Sequence, residues 1–149
     1  TINRTRTSRR SGVELELGWN PSDQLRFSAN YAYLRATQPD DFGGGLLTEL
    51  RRPKSSGSLA LDGSAGKLTY GASLAYVGKH DDRRDSFPYD VVSLKAYTLL
   101  SARLAYAIRP GIEGFARISN ALGSRFQDVY NYRTEGRGIF AGIRFTPRR

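Results

Sequence analysis

Apolar and polar residues alternate along most of this chain with a period of two. Such alternation places apolar side chains on one face of a β-strand and polar side chains on the other. Seven runs show it, at residues 13–19, 25–33, 59–61, 68–76, 100–108, 112–118 and 139–145. No convincing amphipathic helix lies among them, so the sequence predicts an all-β fold of about seven antiparallel strands.

The connections between these runs alternate strictly in length. Three are short and rich in turn-forming residues, at 20–23, 62–66 and 109–111. Three are long, at 37–54, 80–93 and 120–138. All the long loops therefore emerge from one end of the sheet. Outer-membrane barrels have this arrangement, with tight periplasmic turns and long extracellular loops.

The two faces of the runs also fit a membrane barrel. On the apolar face, aromatic residues lie nearer the strand ends, as in aromatic girdles: Trp19, Tyr31, Tyr33, Tyr76 and Tyr106. The opposite face is small or polar and suits a wet or plugged lumen. A soluble antiparallel sheet alternates equally well, but the regular change of loop length favours an up-and-down transmembrane β-barrel segment.

The composition excludes several classes of function. The 149 residues include no Cys, which removes disulfides, thiolate catalysis and Cys-based zinc sites. The chain has a single histidine, His80, which excludes histidine-rich metal clusters and argues against a Ser-His-Asp triad. No apolar run reaches the roughly 18 residues of a transmembrane helix. There is no Met, even at position 1, so we expect a fragment of a longer protein.

The net charge of +9 is compatible with nucleic acid or with an acidic lipid surface. The basic residues sit in loops and strand ends at both ends of the predicted sheet. A nucleic-acid binder would usually place them on one continuous face among exposed aromatic residues. We therefore expect contact with outer-membrane lipid and no nucleic-acid partner.

Candidate catalytic and metal-binding groups are weak. The pairs Asp40-Asp41 and Asp81-Asp82 lack the spacing of a calcium loop, and we interpret them as solvated charge. Residues 81–85 form a surface run of compensating charges in this interpretation. Gly43-Gly44-Gly45 is interpreted as a flexible loop tip rather than a phosphate cradle. With no catalytic constellation, we predict that the protein is not an enzyme and has no cofactor or metal site.

Four segments, taken in order, resemble the C-terminal part of TonB-dependent outer-membrane receptors. They are Arg6-Thr7-Ser8 leading into Ser11-Gly12-Val13-Glu14-Leu15, then Leu50-Arg51-Arg52-Pro53-Lys54, then Ile118-Ser119-Asn120-Ala121-Leu122-Gly123-Ser124-Arg125-Phe126, and finally Val129-Tyr130-Asn131-Tyr132-Arg133-Thr134-Glu135-Gly136-Arg137. Three shorter pieces look most like the vitamin B12 (cobalamin) receptors: Leu50-Arg51-Arg52, Phe87-Pro88-Tyr89 and Tyr130-Asn131-Tyr132.

The resemblance implies a plugged barrel of about 22 strands. Residues 1–149 would form its C-terminal part, without the plug domain and the earlier strands. The whole receptor would lie in the bacterial outer membrane, bind cobalamin and import it with energy transmitted by TonB, which would contact the missing N-terminal part. The alternatives are an iron-siderophore receptor and a non-transport barrel such as an adhesin or porin-like protein.

The resemblance also implies two substrate-binding residues. In cobalamin receptors an arginine and a tyrosine of the corresponding loops reach the ligand, and the matching residues here are Arg51 and Tyr132. The alternatives are solvation in the loop for Arg51 and packing within the loop for Tyr132. Calcium-binding aspartates of those receptors lie in earlier barrel loops, outside this chain.

Overall fold

The computed structural model describes residues 7–40 and 45–147. Within these ranges the chain forms ten strands and no helix: β1 (Arg9–Ser22), β2 (Leu25–Pro39), β3 (Leu46–Thr48), β4 (Ser55–Ala65), β5 (Leu68–Val77), β6 (His80–Arg83), β7 (Val91–Leu94), β8 (Tyr97–Arg109), β9 (Ile112–Ser119) and β10 (Gly138–Phe145). The described residues accordingly contain no helix that could cross a membrane. Arg6, Asp41, Gly43 and Gly44 lie outside the described residues.

The long strands form one antiparallel sheet in the order β1-β2-β4-β5-β8-β9-β10, and β3 pairs with the end of β2. Each long strand therefore pairs with the long strand that precedes or follows it in the chain. This confirms the predicted all-β, up-and-down arrangement, and every predicted run lies in one of these strands. Strands β1 and β10 are the edges of the described sheet, so the barrel is only partly closed.

The short connections are tight turns at one end of the sheet. Gly66 and Gly111 have positive φ angles of 58° and 80°, which a glycine adopts without steric cost. The second turn was expected at residues 62–66, but β4 continues to Ala65. Pairing continues from Asp62 with Gly71 to Ala65 with Leu68, which leaves only a two-residue turn.

The long connections lie at the other end: loop 1 (residue 40 and residues 45–54), loop 2 (residues 78–96) and loop 3 (residues 120–137). Their positions confirm the predicted alternation of short and long links. They also contain strands that the sequence did not predict. Loop 1 contains β3, and loop 2 contains the separate hairpin of β6 and β7, in which His80 pairs with Leu94.

The register places the apolar residues of neighbouring strands side by side. Across the middle of the sheet, Leu17 is opposite Ala29, Ala29 opposite Leu59, and Leu59 opposite Leu74. This face is not covered by another layer: Leu59 is 56% exposed, and the buried hydrophobic residues among the described ones are only Ala36 and Leu94. A soluble sheet would bury such a face, so the structure favours a lipid-facing wall.

The opposite face carries charged side chains that pair across strands. Arg103 Nη2 lies 2.6 Å from Asp62 Oδ1, and the ion pair crosses Gly71 on the strand between them. A Cβ atom on Gly71 would lie 2.6 Å from Asp62 Oδ1 and 2.8 Å from Arg103 Nε, so the glycine leaves room for the pair. This face is polar at mid-strand, as a barrel lumen requires.

Candidate binding site in the long loops

The Asp82 carboxylate joins all three long loops. Its side chain is only 1% exposed. Asp82 Oδ1 accepts hydrogen bonds from Arg51 Nε of loop 1 and from the backbone N–H of Arg83, each at 2.8 Å. Asp82 Oδ2 accepts one from the backbone N–H of Tyr130 in loop 3, at 2.7 Å. We call Arg51, Asp82, Arg83 and Tyr130 the Asp82 cluster.

The Asp82 cluster stabilises a buried negative charge. Burial of the Asp82 carboxyl favours its neutral form, but the hydrogen bonds from Tyr130, Arg51 and Arg83 favour the carboxylate. The net effect holds the pKa of Asp82 below its usual value of 3.8. The Asp82 side chain therefore remains charged at neutral pH and needs all its donors.

Because the pKa of Asp82 is lowered, the association of the loops depends on pH and is weakened only in acid. A group whose pKa is lowered in the folded state contributes stability above its ordinary pKa, and that contribution is lost as the pH falls through the lowered value. We expect the loops to stay associated at about pH 5 and to separate only below the usual pKa of an aspartate. Electron paramagnetic resonance between spin labels on loops 1 and 3 of the full-length protein measures this. Separation already between neutral pH and about pH 5 would contradict the role of Asp82.

A second set of contacts joins loop 3 to loop 2 and to the first residue of β8. His80 is buried, and its ring nitrogens Nδ1 and Nε2 lie 3.3 Å from the carbonyl oxygen of Gly78 and 3.2 Å from that of Asp128. Tyr97 Oη donates to Asp128 Oδ1 at 2.5 Å, and the Tyr97 ring stacks on Phe126 with centroids 4.0 Å apart. The lone histidine is thus part of the loop packing.

Loop 3 begins with a turn closed by Asn120. Asn120 Nδ2 donates to the Ser124 carbonyl and Asn120 Oδ1 accepts from the Ser124 N–H, both at 2.9 Å. Ser124 Oγ then donates to the Thr98 carbonyl at 2.6 Å, which ties the turn to β8. Asparagine suits this position because its side chain offers both a donor and an acceptor and tolerates the φ angle of 48° found here.

A cleft of about 710 Å³ opens between loop 3 and the segment around β7. Three cationic side chains line it, together with the aromatic rings of Phe126 and Tyr130. Its lining residues are Val92, Ser93, Leu94, Lys95, Ser124, Arg125, Phe126, Gln127, Tyr130, Arg133, Thr134 and Gly136. No carboxylate side chain is among these described residues, so the cleft is suited to an anionic ligand that also offers rings for stacking.

Of the two predicted binding residues, Arg51 lies in the Asp82 cluster and Tyr132 lies further along loop 3. Arg51 has a φ angle of 59°, and its side chain remains 57% exposed although its Nε is bonded to Asp82. Tyr132 is 68% exposed, and its backbone N–H donates to the Val129 carbonyl at 3.1 Å. The described contacts link their loops through Asp82 and do not join the two side chains.

The roles of Asp82 and of the three cationic residues of the cleft were not predicted from the sequence. The prediction that Asp82 belongs to a solvated charge run was wrong, because the carboxylate is buried by loops 1 and 3. Arg84, from the same run of charges, forms an ion pair with Asp90 outside that run, with Nε and Oδ1 2.8 Å apart. Lys95, Arg125 and Arg133 come from separate segments, and the sequence contains no signal that brings them together.

A family model described as TonB dependent receptor-like, beta-barrel matches residues 1–137. The chain belongs to this family, which is one of transport receptors rather than enzymes. Proteins of the family lie in the outer membrane, which confirms the predicted location. The apolar face of the sheet therefore contacts lipid, and the three long loops lie on the outer side.

Solved structures of three receptors share this fold. The siderophore receptor PiuA of Acinetobacter baumannii superposes with a TM-score of 0.75 at 20% identity, over 93% of this chain and 22% of that one. The ferric-catecholate import receptor Fiu of E. coli K12 superposes with a TM-score of 0.78 at 16% identity, over 93% of this chain and 21% of that one. Pseudomonas aeruginosa FpvA bound to an iron-loaded pyoverdine superposes with a TM-score of 0.78 at 17% identity, over 93% of this chain and 19% of that one. The chain thus spans about a fifth of each structure.

Proposed function

We propose that this chain is part of an outer-membrane active transporter that binds a ferric siderophore in its outer loops and imports it with energy transmitted by TonB. The observation that carries the proposal is the cleft beside loop 3, which is lined by Lys95, Arg125 and Arg133 together with Phe126 and Tyr130. The contact with TonB would be made by parts of the receptor outside this chain.

The chemistry of ferric siderophores fits this cleft. Ferric catecholate complexes carry net negative charge and expose aromatic rings. Guanidinium groups bind such oxygen anions through charged hydrogen bonds, and tyrosine and phenylalanine rings stack on the catechols. The family relatives reported above support this class of ligand, since one is described as a ferric-catecholate import receptor and another holds an iron-loaded pyoverdine.

Cobalamin was the ligand expected from the resemblance of three short segments. The reported relatives are siderophore receptors, and cobalamin has no support among them. The siderophore alternative therefore becomes the main proposal. The non-transport barrel has no counterpart among these relatives either. Arg51 and Tyr132 stay in the proposal as ligand contacts from loops 1 and 3, because both side chains are exposed on loops that the Asp82 cluster holds together.

The cleft is tested by removing two of its charges. In the full-length receptor, Arg125→Gln with Arg133→Gln is expected to weaken binding of a ferric tris-catecholate by at least about a hundred-fold, since each hydrogen bond between charged groups contributes about 1.5 kcal/mol or more. Quenching of intrinsic fluorescence measures the affinity. Arg109→Gln, at the far end of β8, is the matched control and should bind normally.

The same titration separates the alternatives. Saturable binding of cyanocobalamin, without binding of any ferric siderophore to the parent receptor, would overturn the proposed ligand. Unchanged affinity in the double variant would remove the cleft from the site. Arg51→Ala and Tyr132→Ala are measured alongside, and full affinity in both would retire only these two residues.

A further inference from the structure

Two arginines stand on the lipid-facing side of the sheet at its outer end. Register is continuous from Arg9, opposite Thr37, to Trp19, opposite Phe27. Since side chains alternate along each strand, Arg9 lies on the same face as Val13, and Arg35 on the same face as Tyr33. Arg35 is opposite Ser11, so the two arginines are diagonal neighbours, about 7 Å apart at their Cβ atoms.

Neither of these arginine side chains has a partner in the part of the chain that the structure describes. Both are exposed. The adjacent Arg10 faces the other way, and its Nη2 and Nε lie 2.7 Å and 2.9 Å from the two carboxylate oxygens of Glu49. Strand β1 therefore has a paired arginine on its polar face, whereas on the apolar face β1 and β2 each carry one arginine without a partner among the described residues.

The position of the two arginines fits the level of lipid headgroups. Below them on the same face come Tyr33 and Tyr31, both partly exposed, and then Leu17 and Leu59 in the middle of the sheet. Tyrosines of this kind sit at the membrane interface. Arg35 lies two residues beyond Tyr33, about 7 Å further along the strand, where lipid phosphates are found.

We propose that Arg9 and Arg35 form a binding site for the phosphate group of an anionic lipid in the outer leaflet. Two guanidinium groups with this spacing bind one phosphate between them through charged, forked hydrogen bonds. The acyl chains of the lipid then lie along the apolar face beside Val13 and Tyr33. The site is separate from the cleft beside loop 3 and does not depend on the transported ligand.

Native mass spectrometry of the full-length receptor in neutral detergent tests the site, with diphosphorylated lipid A as the probe. Arg9→Gln and Arg35→Gln together are expected to weaken lipid binding, by about five-fold for each arginine removed. Arg10→Gln is the matched control on the opposite face and should bind as the parent does. Heat-dependent migration on gels shows that each variant is a folded barrel.

Three comparisons decide the outcome. Dephosphorylated lipid A is expected to bind the parent receptor as weakly as lipid A binds the double variant. Arg9→Lys with Arg35→Lys should restore part of the affinity, because it restores the charge without the fork. Unchanged lipid A binding in the double glutamine variant would overturn the proposal, and so would displacement of the lipid by inorganic phosphate at equal concentration, which would indicate a general anion site.

Discussion

Replacing Asp82 with asparagine is expected to separate the three outer loops and leave the barrel strands folded. Asp82 uses both carboxylate oxygens as acceptors, one for Tyr130 and the other for Arg51 and Arg83. An asparagine has one acceptor oxygen and one NH₂ group, so one of these sites would hold a donor facing a donor. The charge that offsets Arg51 is also lost.

The expected cost is about 2–4 kcal/mol in the free energy that holds the loops together, because two backbone N–H groups lose a buried charged acceptor. Hydrogen exchange of the full-length receptor measures it at the amides of Arg83 and Tyr130, which should exchange faster. Amides in β4 and β5 should be unaffected, since the Asp82 cluster lies outside the barrel strands.

Asp81→Asn is the matched control. Asp81 precedes Asp82 in the same strand. Its backbone carbonyl accepts a hydrogen bond from the Arg51 N–H at 2.7 Å, and this contact does not involve the side chain that the substitution changes. The control should keep protected amides and normal ligand affinity. If Asp82→Asn kept them too, the Asp82 cluster would not be what holds the loops.

The strands were predictable because the two faces of a barrel wall contact different environments, and this difference determines which residues alternate along each strand. Lipid on one side and a polar lumen on the other impose a period of two, which the register of β4 with β5 follows without a break. The short strands β3, β6 and β7 were not predictable. They have three or four residues each, and the segment of β6, His80–Arg83, has no alternation of apolar and polar residues.

The site was less predictable than the fold, because its contacts join residues far apart in the chain. Asp82 is 31 residues from Arg51 and 48 from Tyr130. Within its own segment it is one charge among several, and only the approach of loops 1 and 3 buries it. Arg51 was singled out by resemblance alone, and its role as a ligand contact stays a prediction, as does that of Tyr132.

Replacing Leu59 with arginine is expected to destabilise the receptor strongly, because it puts a charge in the middle of the lipid-facing side. Leu59 lies between Ala29 of β2 and Leu74 of β5, and it is 56% exposed on a face that no other layer covers. An arginine at the midplane of a membrane barrel costs about 2–4 kcal/mol. Unfolding of the full-length receptor by guanidinium in lipid vesicles measures the change.

Ser73→Arg is the matched control at the same depth. Ser73 is opposite Ala60 on the polar face, one residue from the level of Leu59, so its arginine would point into the lumen. We expect the free energy of unfolding to fall by much less there than in Leu59→Arg, because the lumen-facing side of the sheet is polar and accepts a charge. Equal losses in the two variants would contradict the assignment of the faces, because residues on opposite sides of one sheet would then share one environment.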